Sequence, residues 1–403
     1  MGAPDTLRSF LPDDPAELTE VVVPNLRRAD VDACATGAWS VGLASLQVPS
    51  LVVPLSRVFI RGFLESHSLY VPSAGEMAEW PAPAPAFSAA DLDNTDALWE
   101  ADQAGRSTEE LQLLVRSHVR AVFLAVQEAI ASLGGAVLPK LNWSSPKDST
   151  WMLPNQTLKC MTAEDVFLLL GASDYVSHDI LHPYDACDDF EGGPVRPLRL
   201  SLTLRAWRVF HVAREFRCFV KNRRLIGISQ RDYATHYDFL GAERISIVEA
   251  IVRFFYSKLC LAPAITIDDF VFDVFIPESF KRCILVDIAP YATVTEPLLF
   301  NWTELTQAVV PPKEDLEPFI HPPLTRDDDI PPELLEPVIL RLSGTAVGVQ
   351  PARDTFLSRV PKDFIDASMG SIDINALADA YRQQLLESDS STDEESDPED
   401  GDQ

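Results

Sequence analysis

Two hydrophobic patterns alternate along the chain, and each predicts a different kind of element. Short runs of Val, Ile, Leu and Phe predict strands: LRLSLTLRAWRVF (198–210), EFRCFV (215–220), RLIGISQ (224–230), Phe270 to Phe275 and Cys283 to Ile288. EFRCFV and RLIGISQ meet at Lys221-Asn222-Arg223, the spacing of a hairpin. Longer stretches show helical spacing. Ser107 and Glu110 form a capping box ahead of Leu111, Leu114, Val115, Val119, Val122, Ile130 and Leu133, and Gly134-Gly135 ends the helix. Thr162 and Asp165 cap a second helix that Gly171 stops. A third is predicted over Ala242 to Cys260, with Ile245, Val248, Val252, Phe255 and Leu259 on one face. Leu46 to Leu64 reads as a strand entering a short helix, and a last helix is predicted near 374–386.

The intervals carry turn and loop composition. Residues 1–37 predict no element, 72–106 reads as a Pro/Ala/Asp-rich insert, 174–197 as a polar loop and 311–337 as a Pro- and Asp-rich surface segment. These boundaries divide the chain into a first lobe (38–80 and 107–185), an insert (81–106), a second lobe (195–366) and a disordered acidic tail (387–403).

The runs 270–275 and 283–288 each hold one aspartate, Asp273 and Asp287. An ionised carboxylate on a buried strand costs several kcal/mol unless a cation or hydrogen bonds compensate it. Two on neighbouring strands also repel each other. A shared divalent ion resolves both costs, and Mg²⁺ held by one or two carboxylates completes its shell with phosphate and water. The bland alternative is that each Asp sits at a strand end and faces solvent.

Three further groups carry chemistry. Lys140 ends an apolar run and leads into Asn142, Trp143, Ser145, Lys147 and Asp148, a stiff polar turn that suits a cation reaching phosphate oxygens, or else a solvated loop. Glu215-Phe216-Arg217 stands beside Ser229-Gln230-Arg231, so pairing brings Arg217 and Arg231 together for anion binding or for internal ion pairs. Arg205, Trp207 and Arg208 lie on one strand, where Trp207 flanks a base or packs into a core. Cations on central strands plus a carboxylate pair make the inventory of a nucleotide triphosphate site. Neither GxxxxGK[ST] nor GxGxxG occurs, which excludes P-loop and Rossmann readings.

Composition narrows the classes further. At 403 residues and 46% hydrophobic the chain buries a substantial core, and no run of about 18 apolar residues is present. A net charge of −28 argues against binding nucleic acid or an anionic membrane over a broad face. The last 17 residues hold nine acidic groups and no basic one, yet the body is acidic as well, which suits a basic partner. Six cysteines without a CxxC pair read as reduced packing residues of a cytoplasmic protein.

PKLNWSSPKDSTWM (139–152), LKCMTAEDVFLLL (158–170), EFRCFVKNRRLIGISQRDY (215–233), DDFVFDVF (268–275), PLLFNWTEL (297–305) and VPKDFIDAS (360–368) together resemble the cell division cycle protein 123 family. These are ATP-grasp proteins that assemble eukaryotic translation initiation factor 2. The resemblance implies an α+β, ATP-grasp-like fold with ATP sandwiched between antiparallel sheets of two lobes. It implies Mg²⁺ at Asp273 and Asp287. Lys140, Asn142, Trp143, Ser145 and Asp148 would line the nucleotide from one lobe, with Arg205, Trp207 and Arg208 along the adenine side. Glu215, Arg217 and Arg231 would serve ribose and phosphates. The implied partner is the gamma subunit of the initiation factor, bound by a monomer that acts as a chaperone and not as an enzyme.

Two departures stand out. Ala206 replaces the lysine of the family's Arg-Lys-Trp, and Ala289 the asparagine of its Asp-Phe-Asn-Pro. An alanine ligates no metal, so water would have to substitute. The departures favour one alternative, an interaction protein that no longer binds nucleotide. A separate alternative is an ATP-grasp ligase, which needs an acceptor pocket with a nucleophile, and no separate His, Cys or Lys group stands out for one.

Overall fold

The computed structural model describes residues 22–64, 73–84, 107–190, 199–320 and 328–344, together with Pro197 and Leu324; all lie within one unit, Met1–Ala352. The acidic tail, VPKDFIDAS and the helix near 374–386 fall outside the described residues.

A three-stranded antiparallel sheet joins β1 (Ser50–Leu55), β2 (Val137–Lys140) and β3 (Leu200–Ala206), with β3 in the centre. Its faces differ because β3 alternates: Leu200, Leu202 and Leu204 point into a core with Leu55, Val137, Phe123, Phe167 and Leu170. Ser201, Thr203 and Arg205 point the other way. The helix Thr108–Ser132 covers the apolar face, capped by Ser107 and Glu110 and closed by Gly134 and Gly135 at φ 96° and 86°, as the sequence predicts. The helix Ala163–Gly171, capped by Thr162 and Asp165, completes that core.

A five-stranded sheet runs β7 (Ile284–Pro290), β6 (Phe270–Phe275), β4 (Glu215–Lys221), β5 (Arg224–Gln230), β8 (Ile339–Arg341). Asn222 and Arg223 adopt φ 50° and 60°, the left-handed pair of a two-residue hairpin turn between β4 and β5. One face, with Phe216, Cys218, Phe272, Val274 and Leu285, packs on the helix Arg244–Phe254 and its continuation. The other face carries Phe219 and Val271 under Phe300 and Trp302. At Gly227 a Cβ would stand 2.9 Å from the Phe300 ring, so the bare backbone there is what seats Phe300 on the sheet.

Several expectations are corrected. Residues 174–181 are not loop but a helix, Asp174–Leu181, capped by Ser173. The stretch that reads as Pro/Ala/Asp-rich from residue 72 contains a helix, Ala74–Glu79, followed by Trp80 and Pro81, whose carbonyls accept from Arg120 Nη1 on the long helix. Of the predicted stripe, Val252, Phe255 and Leu259 are buried and Val248 packs partly buried on the same core, but Ile245 is exposed at 74% and Ile247 and Ile251 join the buried face. The segment 311–337 is not all surface, since Leu316, Ile320 and Leu334 are buried. β8 was unforeseen, and it pairs parallel with β5 in a sheet otherwise antiparallel. β3 belongs to the first sheet, which moves the division between sheets from residue 195 to beyond Ala206. Residues 28–33 and 36–39, which predicted nothing, are short helices.

Candidate functional site

The polar face of the first sheet meets β7 of the second. In register, Lys140 lies opposite Thr203, and Thr203 and Arg205 are two apart on β3, so the three share a face. Lys140 Nζ donates to Asp287 Oδ1, and Arg205 Nη1 donates to the Val286 carbonyl. Arg205 also stacks over Trp39, 5.6 Å from the ring centroid. The helix Thr36–Trp39 reaches that position because Gly37 has no Cβ; one would fall 2.4 Å from Ser201 Oγ.

Across the second sheet the register builds a rank of polar side chains, strand by strand: Arg341, Ser229, Arg217, Asp273, Asp287. Arg217 grips Asp273 bidentately at 2.9 and 3.0 Å, and its Nη1 donates to Glu296 O at 2.8 Å. Arg231 adds a second cation to Asp273 at 3.2 Å and approaches Glu215 at 3.6 Å. At the far end Arg341 closes on buried Glu304 and lies 4.2 Å over the Phe300 ring.

Electrostatics follow from this geometry. Burial alone would raise the Asp273 carboxyl, but Arg217 and Arg231 overrule it and hold it well below the usual carboxylate range. Burial raises Glu215, opposed by Arg231. Lys140 and Arg205 are both lowered, chiefly by loss of water and in part offset by Asp287. Lys147 also sends its field to Glu215 and Asp273. Five cations (Lys140, Lys147, Arg205, Arg217, Arg231) thus interleave with the carboxylates of Glu215, Asp273, Asp287, Asp179 and Glu296 in one charged centre.

Arg205 differs from the other cations. Its Nε and Nη2 are buried with no hydrogen-bond partner, as is Thr203 Oγ1 beside it. Each such orphaned donor costs about 1–3 kcal/mol, a cost that an anion placed there removes. The donor set therefore fits a phosphate group. Asp287, 30% exposed at its side chain, and Asp273 opposite it are hard oxygen donors that fit Mg²⁺, with Asp273 already engaged by two arginines. Among the described residues no three His, Cys, Asp or Glu side chains gather into a metal cluster. Ala289 sits on the same side of β7 as Asp287, in register with Val271, and packs against the cluster of Phe219 and Phe300.

The other predicted residues have work inside the fold. Asn142 bridges to β3, its Nδ2 donating to Arg199 O and its Oδ1 accepting from Ser201 N. Trp143 Nε1 donates to Val31 O. Asp148 holds the start of the helix Asp174–Leu181, accepting from Ser173 Oγ at 2.6 Å and Asp174 N at 2.7 Å. Ser145 lies in the turn, with its carbonyl accepting from Lys147 N. Trp207 and Arg208 follow β3 in the crossing to the second sheet; Trp207 is half-buried and Arg208 exposed.

Asp179 escaped the sequence reading. It is buried and accepts from Trp143 N at 3.0 Å, Ser144 N at 2.8 Å and Ser144 Oγ at 2.8 Å, fixing the turn that follows Lys140. Burial pushes its carboxyl up to about 6 despite these bonds. Its signal was the helical spacing of Val176 and Ile180 around it, hidden by the loop assignment. Trp39 was missed for want of any local pattern. The Ser201-Thr203-Arg205 face was legible in the period-two alternation of β3.

A three-stranded and a five-stranded sheet, meeting across buried charge under helices, define a mixed helix-and-sheet protein with a charged centre between its sheets. The structure of Cdc123 from Schizosaccharomyces pombe is similar at TM-score 0.53 and 28% identity, over 80% of this chain and 100% of that one. The D123 family profile matches residues 39–368, and the chain belongs to that family. It is 34% identical to the translation initiation factor eIF2 assembly protein of Xenopus laevis, over 92% of this chain and 100% of the relative. It is 32% identical to cell division cycle protein 123 of Candida glabrata, over 91% and 96%.

Proposed function

We propose that this protein is an ATP-binding assembly chaperone for eukaryotic translation initiation factor 2, acting on its gamma subunit in the cytoplasm without enzymatic turnover. The observation that carries the assembly role is 34% identity along the whole of a relative named for that assembly. The orphaned donors of Arg205 and Thr203 at the meeting of the two sheets support the nucleotide. In this ATP-grasp-like reading Lys140, Thr203 and Arg205 hold phosphates from one sheet, and Asp287 and Asp273 hold Mg²⁺ from the other. The ion neutralises phosphate charge; the protein's part is to orient the two groups and exclude water. Trp207 and Arg208 flank the base where the chain crosses between sheets.

Capture of separately purified alpha, beta and gamma subunits by this chain tests the assembly reading. Selective retention of gamma supports it, and equal or absent retention contradicts it. The rival of an interaction protein without nucleotide draws on Ala206, Ala289 and the engagement of Asp273 by two arginines. Titration calorimetry with ATP and Mg²⁺ decides between them.

A further inference from the structure

The two sheets touch through the groups that the proposed ligand would need. Lys140, buried on the first sheet, spends its ammonium on Asp287, and Arg205 gives one nitrogen to the Val286 carbonyl of the same strand. A lysine ammonium close to a carboxylate fills the place in which a divalent cation would sit. The same ammonium keeps N–H donors beyond the one given to Asp287, but the carboxylate neutralises its charge and so weakens its pull on a phosphate. Arg205 keeps two donors unused, so it marks where an arriving anion first gains contacts. Asp273 does not share in the contact, because Arg217 and Arg231 already neutralise it.

We propose that the Lys140–Asp287 ion pair is an internal stand-in for the ligand's two charges, so that binding is an ion exchange. The polyanion takes Lys140 together with Arg205, and the divalent cation takes the vacated Asp287. This rests on the proposed nucleotide site and adds its regulation. Neither charge displaces the pair well alone, since an anion alone leaves Asp287 stripped of its partner and a cation alone leaves Lys140 stranded in a buried position. Nucleotide and metal therefore bind cooperatively, and the coupling is reciprocal.

The test uses the full chain, Mn²⁺ as a paramagnetic probe and ATP in chelator as the metal-free anion. Wild type should bind Mn²⁺ weakly alone and about tenfold more tightly with ATP. Lys140→Met removes the competing ammonium. Nucleotide-free Mn²⁺ affinity should rise by about tenfold, while the gain from ATP shrinks. Asp287→Asn releases Lys140, so metal-free ATP should bind more tightly while the Mn²⁺ response is lost. The double variant Lys140→Met, Asp287→Asn measures Mn²⁺ held by the acidic surface, and melting of each variant without ligand reports folding. If Lys140→Met does not fold, the Asp287→Asn arm alone decides. Wild type binding ATP with Mn²⁺, but with no gain in either variant, overturns the exchange and leaves the site standing. Wild type binding no ATP at all overturns the site and the exchange together.

Discussion

Arg205 and Arg217 are the same residue type on central strands of the two sheets, each less than a tenth exposed, and they are treated in opposite ways. Arg217 has a partner at each of its three nitrogens, from a bidentate carboxylate and a backbone carbonyl. Arg205 has one carbonyl and the face of Trp39, and two of its donors are orphaned. Burial of a guanidinium is tolerable in the first case because the pair neutralises it, and it carries a standing cost in the second. Arg217 therefore spends its charge on building the second sheet, while Arg205 on the first keeps two donors without a partner. Of the two roles that the sequence leaves open for Arg217, the structure shows the internal ion pair.

The contrast breaks most visibly at Arg217. Replacing it as Arg217→Met leaves Asp273 buried with Arg231 alone, and nucleotide-free stability should fall by about 3–5 kcal/mol in urea unfolding. The pH profile sharpens the point. A carboxyl depressed in the folded state contributes stability above its unfolded value of about 3.9 and loses it as pH falls through the folded value. Wild-type stability should therefore decline below about pH 4, and the decline should be shallower in Arg217→Met.

Asp179 comes next, and its sign is reversed. A carboxyl raised to about 6 takes up a proton on folding, so stability falls as pH rises from about 4 through 6. Asp179→Asn keeps one oxygen for the Trp143 and Ser144 amides and gives Ser144 Oγ a donor. Relative to this variant, wild type should be about 2–3 kcal/mol more stable at pH 4 than at pH 7. Asp179→Ala should cost about 2–3 kcal/mol at neutral pH by stranding the two amides. Paired denaturation curves across pH measure both.

The sequence showed much of this architecture and little of its wiring. Capping boxes at Ser107 and Thr162, and the hairpin at Asn222, act locally, so composition revealed them. Asp273 and Asp287 were recognisable as a problem because charge on an apolar strand is anomalous anywhere. Their solution was not, since Arg217, Arg231 and Lys140 reach them only through register and sheet-to-sheet contact. β8 is three residues long and pairs with a strand more than 100 positions earlier, which no local pattern encodes. Ile245 lies at the second position of the helix, which begins at Arg244, and is exposed while Ile247 two residues on is buried.

The smallest predicted effect on the empty protein is the most decisive. Arg205→Met removes two orphaned donors that cost about 1–3 kcal/mol each. It gives up the Val286 hydrogen bond, about 1.5–3 kcal/mol, and the Trp39 contact, about 2 kcal/mol, so the changes oppose each other and largely cancel. Urea unfolding of Arg205→Met, run with and without ATP and Mg²⁺, separates the two roles of a buried arginine. The account predicts nucleotide-free stability within about 1 kcal/mol of wild type and loss of the stabilisation that ATP and Mg²⁺ give wild type. A large fall in nucleotide-free stability with the ligand-induced gain intact would make Arg205 a structural residue like Arg217, and would contradict the account.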